Sequence, residues 1–221
     1  MEKPMNRKRA GKRRGMGFMT IGLLLLAAAF LLTGYNIWDE RRAEKASQEL
    51  LSQMDLPVEE AKERFADWEA GLQGSEVDIP DYVLNPYMDM PVTVIEGHAY
   101  IGVLSVPSLG LDLPVMAEWS YPKLKIAPCR YHGSAYTHDL IIAGHNYRKH
   151  FSPIKNLEPG ERIVFTDVEG NQFFYQVDTV EILKKTAVEQ MESGEWDLTL
   201  FTCTYGGQTR FTLRCILEED S

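Results

Sequence analysis

Sulfur is scarce in this chain. There are three cysteines in 221 residues, Cys129, Cys203 and Cys215. Three thiols cannot all pair, so a disulfide framework does not organise the fold, and one thiol is left for chemistry or for an intermolecular bridge. Positive charge is also short: the formal net charge of −9 argues against a nucleic-acid partner. No internal repeat and no low-complexity tract is evident. Long apolar runs are absent with one exception, which sets the topology.

That exception lies at the N-terminus. Residues 15–38 carry no charge over 24 positions and include Leu23-Leu24-Leu25-Leu26-Ala27-Ala28-Ala29-Phe30-Leu31-Leu32. About 20 predominantly apolar residues suffice for a helix to cross a bilayer. Before the run, residues 1–14 hold seven Lys or Arg against Glu2 alone, a local +6 that leaves −15 for the remainder. A basic tip ahead of an apolar span places the N-terminus in the cytoplasm and everything after Asp39 outside, so the expected location is the plasma membrane, crossed once. The rival is a cleaved signal peptide ending near Ala27-Ala28-Ala29, but Phe30, Leu31 and Leu32 carry the apolar run past that site.

The rest reads as an appendage and one domain. Residues 39–91 are expected to form a helical stalk and linker, with Pro57 dividing two helices and Asp55 as a candidate N-cap. Leu50, Leu51 and Met54 form one apolar patch, and Phe65, Trp68 and Leu72 another at helical spacing, as in a stalk or a helix lying on the domain. From residue 92 the pattern turns to strands. Tyr100-Ile101-Gly102-Val103-Leu104-Ser105-Val106 and Leu111-Asp112-Leu113-Pro114-Val115 flank a turn at Ser108-Leu109-Gly110. Residues 118–134 read as irregular or briefly helical, and residues 151–157 as one or two helical turns. Glu169-Gly170-Asn171 signals a hairpin, with the strand after it continuing through Val180-Glu181-Ile182-Leu183. Some eight short strands with few helices predict a mainly β domain over residues 92–221, a closed or nearly closed eight-stranded barrel.

The chemistry concentrates near the C-terminus. Thr199-Leu200-Phe201-Thr202-Cys203 and Arg210-Phe211-Thr212-Leu213-Arg214-Cys215 read as two strands around Gly206-Gly207. Alternation puts Leu198 and Leu200 on one face of the first strand and Thr199, Phe201 and Cys203 on the other. In the second strand Phe211, Leu213 and Cys215 share a face, opposite Arg210, Thr212 and Arg214. With the apolar sets turned to a core, Cys203 and Arg210 project together, and directly opposed residues have Cβ atoms roughly 4.5–5.5 Å apart. Cys215 then reads as a buried small hydrophobe, and Cys129 takes no role. Upstream, Asp139-Leu140-Ile141-Ile142-Ala143-Gly144-His145-Asn146 is a short apolar strand that delivers an imidazole at its C-terminal end. A thiol, a proton carrier and a fixed cation are the three needs of acyl transfer by a thiolate.

Ile142-Ala143-Gly144-His145, then Thr199-Leu200-Phe201-Thr202-Cys203, then an arginine on the next strand, resembles the His, Cys and Arg set of the sortases, cysteine transpeptidases of the Gram-positive surface. The resemblance spans residues 99–216 in the same motif order. It implies a sortase-like barrel in which Cys203 is the nucleophile, His145 the acid that protonates the leaving amine, and Arg210 the group that orients carbonyls or stabilises the oxyanion. Thr202 matches the family pattern before the Cys, and Thr202 and Ala143 are expected to border the substrate. The implied substrates are surface proteins with an LPXTG-like C-terminal sorting signal. The implied acceptor is an amine of a cell-wall precursor or a pilin lysine. A single N-terminal anchor favours protein anchoring over pilin polymerisation.

The gap from Cys203 to Arg210 is short for the family, and Arg214 on the same face is the alternative cation. No cofactor is expected. Glu189, Glu192, Glu195 and Asp197 precede the Cys strand and offer oxygen ligands of the kind calcium takes, as in some sortases, although a solvated acidic loop reads more simply. A zinc site from Cys129, His132, His138 and His145 lacks the paired spacing of known frameworks. Two other readings are an envelope-tethered barrel that only binds peptide and a hydrolytic cysteine peptidase. Papain-like enzymes place Cys before His, the reverse of the order here. The orientation is testable with protease added to intact cells: the domain after Asp39 should be digested, and protection until the membrane is broken would reverse the topology.

Overall fold

The computed structural model describes residues 8–54, 80–204 and 206–218, with side chains from Phe18 onward. It divides into two units, residues 1–42 and 43–221. The first consists of most of one long helix, α1 (Lys8–Gln53). Its Leu23 to Leu32 side chains are exposed, and the stretch from Phe18 has a mean hydropathy of 2.0, so the helix is long and apolar enough to cross a membrane.

The second unit begins with the last turns of α1. Here Leu50 and Met54 are buried in a cluster with Ile95, Tyr100, Val103, Met116, Ala127 and Cys129. The stalk expected over residues 39–91 therefore starts, from Ala43, as part of the compact unit. The second stalk helix, with Pro57, Phe65, Trp68 and Leu72, lies outside the described residues, as does Asp55. A four-residue helix, α2 (Asp81–Leu84), precedes the strands.

Nine strands follow: β1 (Thr93–Ile95), β2 (His98–Val106), β3 (Leu111–Met116), β4 (Cys129–His132), β5 (Leu140–Gly144), β6 (Arg162–Asp167), β7 (Gln172–Lys184), β8 (Leu198–Cys203) and β9 (Thr209–Leu217). They are ordered β1-β2-β3-β4-β5-β8-β9-β7-β6, and β2 also pairs with β6. Eight strands thus close into a barrel and β1 is an added edge. Most pairings are antiparallel; β3–β4 and β5–β8 are parallel. Closure leaves no unpaired edge among the eight barrel strands, which a short-stranded sheet otherwise has to protect. It also needs a glycine. Gly102 sits at a β2 bulge where β2 crosses to β6, and a Cβ there would run into the Thr166 carbonyl.

The barrel interior is filled by alternate residues of its strands, among them Ile101, Leu104, Leu113, Leu140, Ile142, Ile163, Phe165, Tyr175, Leu198, Leu200, Leu213 and Cys215, all at most 2% exposed. The expected faces of β8 and β9 are those observed. One local reading changes. The segment expected to be irregular or briefly helical over residues 118–134 does hold a short helix, α3 (Tyr121–Leu124), but also the strand β4, which was not expected. Cys-Arg-Tyr-His alternates apolar and polar residues over only four positions, with a register shift after Arg130, and pairing with β5 makes it a strand. Cys129 is consequently buried, and burial pushes its thiol up to about 12.

After β5 the chain turns sharply through residues 145–152, where Tyr147 N and Phe151 N both donate to His145 O. Phe151 is fully buried, and its ring lies against the Gly144 backbone where any side chain would stand. This contact explains the glycine before the histidine. Gly144→Ala is expected to cost about 1–3 kcal/mol through overpacking, read as a melting temperature lowered by several degrees. An unchanged melting temperature would show that Phe151 is free to move aside.

Candidate functional site

Three strand ends meet at one rim of the barrel. Antiparallel pairing of β8 with β9 sets Cys203 directly opposite Arg210. Parallel pairing of β5 with β8 sets Gly144 opposite Thr202, so the next residues, His145 and Cys203, leave adjacent strands side by side. Neighbouring strands lie about 4.8 Å apart. A thiol, an imidazole and a guanidinium are therefore brought together by backbone register alone.

Their surroundings differ. Cys203 is the one exposed cysteine; Cys129 and Cys215 are fully buried. Burial raises both of these thiols, and the neighbouring Asp178 adds to the rise at Cys215. They are held as inert thiols, and only Cys203 is placed to react. Arg210 is half-buried, and its Nη1 donates to the carbonyls of Gly207 and Thr209, each at 3.1 Å. Those bonds hold the guanidinium over the β8–β9 turn, next to Cys203. His145 is stacked on Tyr147, with ring centroids 3.9 Å apart and an 18° angle between planes. Asn146 accepts from Lys155 Nζ at 2.5 Å. Burial lowers the Lys155 pKa, and the nearby Cys203 works against that shift.

Arg214, the alternative cation, is committed elsewhere. It is 2% exposed. Its Nε donates to Glu181 Oε1 at 2.7 Å, and Nη1 donates to Met191 O at 2.9 Å and Thr199 Oγ1 at 3.0 Å. Nη2 donates to Gln190 O at 2.5 Å. Arg214 fastens a short helix, α4 (Val188–Glu192), to the outside of the barrel. That helix is one wall of a cleft of about 160 Å³ bordered by Ala143, Gly144, Thr202, Cys203 and Arg210.

The opposite wall is aromatic. Tyr131 meets Phe201 edge-on at 5.3 Å, and Trp119 lies 5.5 Å from Tyr131 and 5.6 Å from Tyr121. Ile141, Leu183 and Met191 form the apolar layer beneath, with Phe201 packed on it. Ala143 and Thr202 both border the cleft, but the Thr202 side chain belongs to the inward face of β8 with Leu198 and Leu200 and is 1% exposed. Thr202 can offer a ligand its backbone, not its hydroxyl.

Sequence reasoning placed Phe201 on the Cys203 face but missed Tyr131, whose strand alternates over only four residues. It also missed Tyr147 and Lys155, which reach the site by the fold of the loop after β5. The proposed zinc ligands are not assembled. Cys129 Sγ donates to Ala127 O at 3.4 Å, and His138 Nδ1 lies 3.4 Å from Asp197 Oδ1. Among the described residues no cluster of three His, Cys, Asp or Glu side chains is placed to hold a metal. Asp197 accepts from Leu217 N at 2.7 Å, a bond that ties the start of β8 to the end of β9.

Comparison with known proteins agrees with this geometry. The Sortase domain family matches residues 104–218. Sortase A of Bacillus anthracis is 26% identical over 193 residues, covering 84% of this chain and 86% of that protein. The Sortase D5 transpeptidase of Clostridium perfringens superposes with a TM-score of 0.52 at 16% identity, over 81% of this chain and 99% of that structure. Sortase C1 of Streptococcus agalactiae gives 0.51 at 21% identity, over 74% and 89%. At such identities the two structures speak for the fold, and the sequence match speaks for the family. With more than half its length matched and the closed eight-stranded barrel on which Cys203 and Arg210 face each other, this chain belongs to the sortases, the cysteine transpeptidases.

Proposed function

We propose that this sortase is a single-pass membrane enzyme, cytoplasmic at its N-terminus. Its barrel outside the cell cleaves an LPXTG-like C-terminal sorting signal through a Cys203 thioester. It then transfers the protein to an amine of a cell-wall precursor, or to a pilin lysine as the alternative acceptor. The observation that carries the reading is the direct pairing of Cys203 with Arg210 at the strand end beside His145.

The chemistry follows from the three groups. The Cys203 thiolate attacks the carbonyl carbon of the signal's threonine, and the negative charge passes to the carbonyl oxygen. Arg210 presents a planar cationic fork to that oxygen or to the neighbouring substrate carbonyls. As the intermediate collapses, the carbon–nitrogen bond breaks and His145 gives its proton to the departing amine. The acyl group remains on sulfur. An incoming amine then attacks the thioester, His145 takes its proton, a new amide forms, and the Cys203 sulfur leaves as thiolate. These steps call on no cofactor. The cleft supports a peptide ligand: its aromatic side suits apolar side chains of the signal, and the small Ala143 side chain leaves room at its border.

Within this reading Cys203→Ala should abolish thioester formation, whereas Cys129→Ala and Cys215→Ala should stay active. Cys215→Ala should cost about 1 kcal/mol of stability from its lost core packing. Mass spectrometry of trapped acyl-enzyme is the measurement, and equal loss in all three variants would point to a structural role for the thiols.

Arg210→Lys should keep the charge and lose the fork, lowering kcat by about 10²–10³ with the fold intact. Arg210→Ala should be worse. Arg214→Ala should act through the α4 wall, with a loss of stability and weaker peptide binding. Turnover of a library of sorting pentapeptides, with circular dichroism for folding, decides it. A folded Arg210→Ala enzyme at the wild-type rate would remove Arg210 from the mechanism.

A further inference from the structure

The loop that carries the half-buried His145 is fastened to α1 by another histidine, which is buried. His150 is fully buried, and its Nε2 is hydrogen-bonded to Ser47 Oγ of α1 at 3.3 Å. Ser47, itself 4% exposed, also donates to Ile126 O at 3.4 Å, so one hydroxyl joins the helix, the loop and the turn before β4. At the loop's outer edge Lys149 Nζ lies 3.3 Å from Glu44 Oε1. Between the two histidines stands Tyr147, 8% exposed. Its ring is stacked on His145 at 3.9 Å and tilted against His150 at 5.5 Å. The backbone closes the same unit: Tyr147 N donates to His145 O at 2.8 Å and His150 N to Tyr147 O at 3.1 Å.

We propose that Tyr147 and His150 are positioning residues for the His145 imidazole, and that the last turns of α1, through Ser47, are part of the support that holds it. The inference rests on the reading of His145 as the proton carrier. An imidazole at a strand end has two free side-chain torsions, and a proton transfer in the transition state tolerates little misplacement. The Tyr147 face restricts both torsions by covering one side of the ring. Tyr147 in turn is backed by His150, and His150 has its own place only because α1 presents a hydroxyl there.

The buried ring is well suited to this task. Burial pushes the His150 pKa down to about 4, with the charge of His145 lowering it further against an opposing backbone bond to Ala43. It is neutral at working pH. A charged strut so near His145 would oppose protonation of the imidazole that must act as acid; a neutral one does not.

The test uses the full-length chain in detergent micelles. Two readouts are needed: steady-state turnover of the best-cleaved member of a sorting-pentapeptide library, and the NMR resonances of the His145 ring protons, which feel the Tyr147 ring current without any substrate. Tyr147→Leu should lower kcat by about ten- to a hundredfold with KM unchanged, and should move the His145 resonances. Tyr147→Phe, which keeps the stacking face, should recover most of both. Ser47→Ala removes a single oxygen and should fold even where Tyr147→Leu does not. It should lower kcat by about three- to tenfold and shift the same resonances in the same direction. A folded Tyr147→Leu or Ser47→Ala enzyme with wild-type kcat and unmoved His145 resonances overturns the proposal, as does a loss confined to KM. Turnover surviving in Cys203→Ala would instead overturn the catalytic reading, and the resonance shifts would still decide the positioning role.

Discussion

The parallel pairing of β5 with β8 is the constraint on which the site depends. In an antiparallel pair of neighbouring strands, the C-terminal end of one lies beside the N-terminal end of the other. A histidine after β5 and a cysteine ending β8 would then stand at opposite rims of the barrel. Parallel pairing puts both C-terminal ends at one rim, with Gly144 opposite Thr202. The antiparallel return of β9 then brings its first residues to the same rim and pairs Arg210 with Cys203. Hydrogen-bonded register, the stiffest element of a small barrel, thus fixes where the three groups leave the backbone. Loops only orient what the strands have already delivered.

The two arginines of β9 show how burial separates roles that alternation makes equal. Arg210 and Arg214 share a face, and nothing in their spacing distinguishes them. Arg214 lies under α4, where it is 2% exposed and bonded to one carboxylate, two carbonyls and a hydroxyl. A guanidinium so desolvated is stabilised only by such partners, and four of its five N–H donors are committed to them. Arg210, half-buried at the cleft border, bonds the carbonyls of Gly207 and Thr209 through a single nitrogen, which leaves its other N–H donors uncommitted among the described residues. The first arginine builds the wall and the second faces what the wall encloses.

Much of this was legible in the chain. The barrel, the inward faces of β8 and β9 and the approach of Cys203 to Arg210 follow from period-two alternation, which is strong where one face is buried. The apolar helix follows from length and charge. What alternation carries weakly or not at all was missed. β4 alternates over only four residues, with a register shift after Arg130, and is held by pairing with β5. Tyr131 and Cys129 were therefore left without a place, although one forms the cleft wall and the other sits in the core beneath α1. Tyr147, His150 and Lys155 fall in a segment of turns, where position is decided by hydrogen bonds from His145 O and by the docking of Phe151 on Gly144. No periodic signal marks such residues.

The same contrast bears on why the loop after β5 is so heavily tied. Cys203 and Arg210 belong to strands and inherit their rigidity. His145 is the first residue beyond a strand and inherits only half of it. The loop compensates with a fully buried Phe151 against Gly144, two amides returning to the His145 carbonyl, and a histidine bonded to Ser47 of α1. Of these residues only Gly144 borders the cleft; Phe151, His150 and Ser47 are not part of its lining. A helix whose remaining length reads as a membrane span is therefore also a structural partner of the loop that carries His145. Removing residues 43–54 to obtain a soluble domain would take away Ser47 together with the Leu50 and Met54 contacts, and so alter the site as well as the solubility.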